Sequence, residues 1–350
     1  MAPKTSSMEL TLVIPGLMRF EDKAYRELIA QAERMRALEM IISRAQRLKT
    51  NTHSLESTLG RLFGMSEELT INLPVAALSH YLKFGELTDY WYMHCDPVVM
   101  QPNRDHLMMF GNDLLDISEQ EAEQLVSDIN ATYHDQPWQL KMLSPTQWVL
   151  EMQQTPKIKT KPLNRVLGKK INEYLPTGED AKIWHVLLNE LQMLLHSHPV
   201  NRARDTKGIS TINSVWFWGE GRLPRDLNSS MVTNWAQCWS NHTATLGLAK
   251  LFNIPRVDCP ANASIWLEQA ITPGQHLVVM DTLDSSSLVI DPFDWWQALS
   301  ELNEQWLAPL VSALQKNTLS KLTLVTAEGR SYVLTPKLAK RWWKRIKPLV

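Results

Sequence analysis

Apolar residues follow two rhythms along this chain: short unbroken runs, and runs at helical spacing. "LTLVI" (10–14) predicts a first strand ending at Pro15-Gly16. In the charged stretch from Glu21 to Leu48, Leu28, Ala32, Met35 and Leu38 recur at helical spacing and predict one long helix. Further helices are predicted in "HSLESTLGRLFGM", ending near Gly64, and in "LPVAALSHYLKFG", ending at Gly85. Near residue 90 the texture changes. "YWYMHCDPVVMQ" and "DHLMMFG" read as paired strands, Ser118 and Glu121 as a capping box opening the helix "EQEAEQLVSDINATY", and "WQLKMLSPTQWVLEM" as a hairpin. The polar run "QQTPKIKTKPLN" reads as a linker, and an apolar helix covers Ala181 to His196, stopping before Pro199. Strand and helix then alternate from "TINSVWFWG" through "TATLGLAKLF", "PRVDC", "ASIWLEQAI", "QHLVVMDTL" and "DWWQALSELNEQWLAPLVSALQ" to "KLTLVTAEG".

Alternation with short connections predicts βαβ units and an α/β fold, a mainly parallel sheet covered by helices. The expected division is a core of residues 1–89 and 181–350, with 90–180 as an inserted small α+β subdomain and its linker.

Composition changes the picture little. A hydrophobic fraction of 44% and a charged fraction of 21% belong to a folded globular chain rather than a disordered one. Lys plus Arg number 36 against 37 Asp plus Glu, so no global field draws in nucleic acid or an anionic membrane, and any such attraction has to be local. No helix-turn-helix or zinc module is recognisable, and a nucleic-acid partner is not expected. Cys95, Cys238 and Cys259 are odd in number and lack Cys-x-x-Cys spacing, which fits a reducing compartment, the cytoplasm. No apolar run approaches the ~20 residues needed to span a bilayer. The 14 tryptophans are expected mostly in cores and pocket walls.

The candidate chemistry centres on "INSVWFWGEGRLPRD" (212–226). Alternation along the strand puts Asn213, Val215 and Phe217 on one face and Ser214, Trp216 and Trp218 on the other. Gly219 and Gly221 permit positive φ and close backbone approach, and Arg222 and Arg225 offer paired donors to a phosphate or carboxylate. The run is not a dinucleotide fingerprint, because Pro224 stands at the third glycine position. Upstream, "HPVNRARDTKG" adds Asn201, Arg202, Arg204 and Lys207. Asn201, Arg204, Asn213, Trp218, Gly219, Gly221 and Arg222 are therefore expected to line one anion-binding surface. The competing reading is a buried strand ending in a turn with solvated arginines. Other arrangements are weaker: His196 and His198 lack partners for zinc, and Cys238 near His242 reads as a buried structural thiol.

The segment "LQMLLHSHPVNRARDTKGISTINSVWFWGEGRLP" resembles the signature of bacterial RpfE-type regulatory proteins, as do "CDPVVMQPNRDHLMMF", "LSELNEQWLAPLVSALQ" and the ending "KRWWKRIKPL". Residues 198–221 also look like a segment of archaeal-type, cofactor-independent phosphoglycerate mutases. That resemblance implies an alkaline-phosphatase-like α/β core with an insertion, and two metal ions activating a Ser or Thr nucleophile. It also implies metal ligands at places where this chain departs from the pattern. Pro15 stands where the first Asp should be, no histidine follows Asp281, Asp284 and Asp291, and Ala327, Glu328 and Gly329 stand where an Asp-His pair should be.

The expected function is thus a catalytically degenerate, regulatory relative of the mutases. It is expected to use no metal or other cofactor, to bind a phosphorylated or carboxylated metabolite, and to act through a protein partner. One alternative is a working mutase or phosphatase with rearranged ligands drawn from His276, Asp281, Asp284 and Glu328. Another is a structural interaction module. The basic tail "KLAKRWWKRIKPLV" (337–350) is a possible contact surface, although Trp342 and Trp343 are expected to dock on the domain.

Overall fold

The computed structural model describes residues 8–30, 32–103, 106–110, 115–225, 233–284 and 291–349. The chain forms two compact units, one of Met1–Ser66 with Ser230–Val350 and one of Glu67–Ser229. The strands in chain order are β1 (Glu9–Val13), β2 (Gln46–Lys49), β3 (Trp91–Asn103), β4 (His106–Phe110), β5 (Trp138–Ser144), β6 (Gln147–Met152), β7 (Ser214–Gly221), β8 (Trp235–Ser240), β9 (Arg256–Val257), β10 (Gln275–Val279), β11 (Lys321–Thr326) and β12 (Arg330–Leu334).

In the first unit the described strands form a sheet in the order β2-β12-β11-β1-β10-β8-β9. The pairs from β11 through β1, β10 and β8 to β9 are parallel, and β12 and β2 close the sheet antiparallel. Leu10 and Leu12 of β1, with Val278, Leu322 and Leu324, face a core built by the helices Arg36–Arg44, Ala263–Gln269, Pro292–Leu302 and Ala308–Gln315. Val13, Leu277 and Val279 are also buried, so the central strands are apolar on both faces, as parallel strands between helical layers must be.

The long helix predicted from Glu21 to Leu48 is three elements: helices Lys23–Ile29 and Arg36–Arg44, then β2. Arg34 holds both carboxylate oxygens of Glu39 just where the second helix begins, and Met35, Leu38 and Ile41 enter the core. All four residues of β2 are exposed, so their pairing with β12 leaves no trace in local hydrophobic pattern. The long apolar run near 292–315 is likewise divided, by a π-helical turn at Asn303–Leu307. Pro309 has no N–H to donate to residue 305, and the wider turn absorbs the missing bond.

In the second unit β3 pairs antiparallel with β4, β6 and β7, and β5 with β6. β7, expected as part of the parallel alternation, instead lies beside β3, with Cys95 opposite Phe217 and Asp96 opposite Trp216. The alternation predicted along it holds. Val215 and Phe217 enter one apolar core with Met93, Cys95 and the helix Ala181–Ser197, while Trp216, with Trp218 packed beside it, enters another with Val98 and Met100.

The tail differs from expectation. Its helix covers only Pro336–Ala339, and Trp342 and Trp343 are 83% and 67% exposed rather than docked. The chain is anchored instead by Arg44 donating to the Ala339 carbonyl, by Lys347 N–H donating to Ser43 Oγ and by Leu349 against the core.

Gly16, at the turn after β1, has φ +78°, and a Cβ there would lie 2.6 Å from the Leu283 carbonyl oxygen. Gly16→Ala combines left-handed backbone strain with a backbone clash, so it is expected to lower unfolding free energy by at least about 2 kcal/mol in a urea titration. Unchanged stability would mean that the two turns do not meet as described.

Candidate functional site

Parallel pairing places the C-terminal ends of β1, β10 and β11 side by side, the edge where open α/β sheets put their chemistry. Gly16 joins all three. Its N–H donates to Glu328 Oε1 at 2.7 Å, and its carbonyl accepts from Trp295 Nε1 at 3.1 Å. Arg19, on the 3₁₀ turn Leu17–Glu21, reaches back to the loop after β10. Its Nη1 donates to the Leu283 carbonyl at 2.7 Å and its Nη2 to Asp284 Oδ1 at 2.8 Å. The segment carrying Pro15, and the residues Asp284 and Glu328, therefore meet at one edge.

The metal centre that the resemblance implies does not fit these residues. Buried Pro15 offers no side-chain donor atom, Glu328 gives one of its two carboxylate oxygens, Oε1, to a backbone N–H, and Asp284 already faces a fixed guanidinium charge that opposes a second cation. Among the described residues no group of three or more His, Cys, Asp or Glu side chains is placed to hold a metal ion. His276 lies near the opposite end of β10, buried, accepting from Trp239 Nε1 and bonded to the Thr272 carbonyl. Asp281 lies five positions on, past the end of β10 and up to about 16 Å away, so the rearranged set His276, Asp281, Asp284 and Glu328 does not assemble around one ion.

The seven residues expected to line an anion surface are not brought together. Asn201 and Arg204 lie on the helix Pro199–Thr206, before β7, and Arg222 follows its far end. A strand rises ~3.3 Å per residue, so β7 between Asn213 and Arg222 holds them apart by up to about 30 Å. Their polar groups are also engaged within the protein. Asn201 Nδ2 donates to the Leu195 and Ile212 carbonyls, and its Oδ1 accepts from Ile212 N–H. Arg204, 1% exposed, donates to Glu121 and to the Ser210, Asp116 and Leu115 carbonyls. Asn213 bonds both backbone groups of Met100. Arg222 donates to the Gln153 carbonyl. Gly219 has φ +67° and would press a Cβ to 3.2 Å from Val75, while at Gly221 one would lie 2.7 Å from Pro74 Cβ. The glycines admit a neighbouring segment of the protein itself.

Trp218 belongs to a cluster that sequence reasoning missed. Its ring stacks on His94 at 4.5 Å, and its Nε1 donates to Asp96 Oδ2 at 2.7 Å. His94 Nδ1 lies 3.4 Å from Asp96 Oδ1, and Nε2 lies 3.0 Å from Ser79 Oγ. Ser79 Oγ donates its proton to the Val75 carbonyl at 2.9 Å, so it is left to accept from His94 Nε2, while Nδ1 makes no hydrogen bond. The order Ser79–His94–Asp96 is that of a nucleophilic triad, but all three side chains are buried, and Asp96 also accepts from Trp148 N–H. Side chains so buried and bonded to one another form an internal polar tie. No local motif marks it: its members come from one helix and one strand, and only the need of a buried Trp N–H for a partner hints at it. A second tie lies nearby, where Tyr92 and Lys141 both donate to Glu151.

The thiols are equally inward. Burial pushes Cys238 and Cys259 up to about 12 and raises Cys95 as well, so none is a thiolate at neutral pH. His198 caps the helix at Pro199 by accepting from Val200 N–H, with its other nitrogen 3.0 Å from Asp128.

Residues 74–201 match the family model of the 2,3-bisphosphoglycerate-independent phosphoglycerate mutases. The matched segment lies within the Glu67–Ser229 unit. Over 63 residues the chain is 40% identical to the enzyme of that name from Methanothrix thermoacetophila, and over 64 residues 41% identical to a probable one from Geobacter sulfurreducens. Each match covers 18% of this chain and only 16% of the relative's length. The structure of the PH0037 protein from Pyrococcus horikoshii is similar over 94% of this chain and 87% of its own, with a TM-score of 0.57 and 12% identity, a likeness of fold alone. The expected α/β architecture, an alkaline-phosphatase-like, mainly parallel sheet covered by helices, is the one observed. No helix among the described residues is long and apolar enough to cross a membrane.

Two outcomes follow from this geometry. Arg204→Ala leaves three carbonyls and Glu121 without their donor, so it is expected to cost about 3 kcal/mol of stability, read from urea midpoints. A melting temperature equal to wild type would return Arg204 to the surface role inferred from sequence. Burial also holds the His276 imidazole below its ordinary 6.5, against the raising effect of its bond to the Thr272 carbonyl. The unfolded chain therefore binds that proton more readily, and the associated stability, present above pH 6.5, is lost as pH falls through the lower folded value. His276→Asn, whose amide can accept and donate in place of the ring, is expected to flatten the acid side of the stability-pH curve. His80, lowered chiefly by burial, acts in the same direction and keeps part of the slope.

Proposed function

We propose that this chain is a catalytically degenerate, mutase-like regulatory protein of the cytoplasm, of the RpfE type, that acts by binding rather than by phosphoryl transfer. The observation that carries the reading is Arg19. Its guanidinium takes the Asp284 carboxylate at the sheet edge where the resemblance implies metal ligands, while Pro15 removes one ligand and Glu328 is bonded to backbone. A fixed organic cation supplies charge balance without an open coordination site, so no water or serine can be activated there. The likeness to the mutases supports common descent of the Glu67–Ser229 unit. The activity of those enzymes does not come with it.

The test is direct. Purified protein incubated with manganese or zinc and desalted is expected to retain much less than one equivalent of metal by elemental analysis. It is also expected to show no interconversion of 3- and 2-phosphoglycerate and no hydrolysis of p-nitrophenyl phosphate above a metal-only blank. Stoichiometric metal with turnover would overturn the proposal, and Arg19→Ala would then be expected to change that turnover.

A further inference from the structure

The tail left unexplained by that reading helps build a cavity. In the first unit a space of about 600 Å³ lies between the 3₁₀ turn Leu17–Glu21, the end of the helix Arg36–Arg44, β2, β12 and the segment 344–349. Five cations line it, Arg47, Arg330, Lys344, Arg345 and Lys347, against one carboxylate, Glu21. Glu21 is already held through both oxygens by Arg330. The difference, five minus one, leaves four positive charges around one space. Among the described residues, no ion pair involves Arg47, Lys344, Arg345 or Lys347.

The floor is different in kind. Phe20 and Tyr332 are buried at its base, with Arg47 lying 5.6 Å over the Tyr332 ring, and Leu349 closes the tail side. The side chains of Arg47, Lys344, Arg345 and Lys347 are exposed, and the tail backbone that carries three of them is anchored although it is not helical there. Lys347 N–H donates to Ser43 Oγ at 3.0 Å, and Leu349 packs on the core. Uncompensated like charges brought together by the fold repel one another, and an anion that bridges them recovers that energy. Guanidinium groups suit phosphate, and the volume is that of a small-molecule pocket rather than a single-ion site.

We infer that this cavity binds a small organic phosphate carrying three or four negative charges, of the size of a nucleoside di- or triphosphate, with its phosphates on the tail cations and its organic part toward Phe20 and Leu349. The inference goes beyond the proposed loss of catalysis and does not depend on it, since neither Arg19, Asp284 nor Glu328 lines this cavity.

Calorimetric titration of the full chain with ATP, without divalent metal and at physiological salt, tests it. Wild type is expected to bind at one site and to melt at a higher temperature with ATP than without. The exposed pair Lys344→Glu/Arg345→Glu is expected to weaken ATP about 100-fold, the scale of two lost charged contacts. Lys337→Glu/Arg341→Glu makes the same charge change elsewhere on the tail and is expected to stay within a few-fold of wild type. Inorganic triphosphate is expected to bind more weakly than ATP, because it lacks a part for the apolar floor. Absence of ATP binding by a folded wild type overturns the inference. So does equal weakening in both double variants, which would show a diffuse field, or binding confined to phosphoinositide vesicles, which would make the tail a membrane contact.

Discussion

Arg19 crosses from the turn after β1 to the loop after β10, and what the larger unit can do depends on that contact. The C-terminal edge of a parallel sheet gathers loop carboxylates at the ends of neighbouring strands, and like charges so placed need a cation. Here the cation is covalently part of the chain. It arrives with its hydrogen bonds already assigned to Leu283 and Asp284, and Gly16 permits the approach because a Cβ would meet the Leu283 carbonyl. A metal ion in that place would keep an exchangeable position for water or substrate, whereas a guanidinium donates only in its plane and has none to exchange. In the proposed reading Arg19 takes the place of such an ion beside Asp284.

The second unit shows the same inward use of polar groups. β3 carries His94 and Asp96 at positions that an isolated strand would expose on a polar face, yet β7 covers them with Trp218, and the ring nitrogen and the stacked face each find a partner. Arg204 behaves alike: a guanidinium expected at the surface closes the carbonyls of a loop and the carboxylate of a capping residue. Burial pushes the Glu121 carboxyl up, but bonds from Ser118 and Arg204 outweigh it and hold it low. That helix cap and the Arg204 tie are therefore one network, with Glu121 shared between them.

Local signals were legible where the physics is local. The cap at Ser118, the left-handed glycines ending helices at Gly64 and Gly85, and the β5–β6 hairpin all follow from residues within a few positions of one another. β2 was not legible, because exposed Gln46-Arg47-Leu48-Lys49 becomes a strand only through β12, nearly 300 residues later. β7 was legible as a strand with two different faces but not as a partner of β3. The Gly-x-Gly and arginine composition of its end pointed to an anion because the same residue types serve both uses. Glycine admits any close neighbour, and an arginine is satisfied by carbonyls as well as by phosphate. Only the partners decide, and Val75, Pro74 and Gln153 are distant in sequence.

That ambiguity also limits what similarity to the mutases means here. The matched residues 74–201 contain both buried carboxylates, Asp96 and Glu151, with their partners Trp148, Tyr92 and Lys141, while Trp218, the further partner of Asp96, lies beyond the match. A segment so tied can change little without leaving a buried donor or acceptor unpaired, at a cost of about 1–3 kcal/mol for each group. Resemblance within it is thus what folding alone would preserve. At the sheet edge Arg19 and Asp284 are less deeply buried, although Gly16 between them is fixed by its close approach to Leu283. On the proposed reading the mutase-like segment is kept while an arginine occupies the sheet edge of the other unit, and the described cations that line a cavity without an ion pair lie elsewhere, beside the tail.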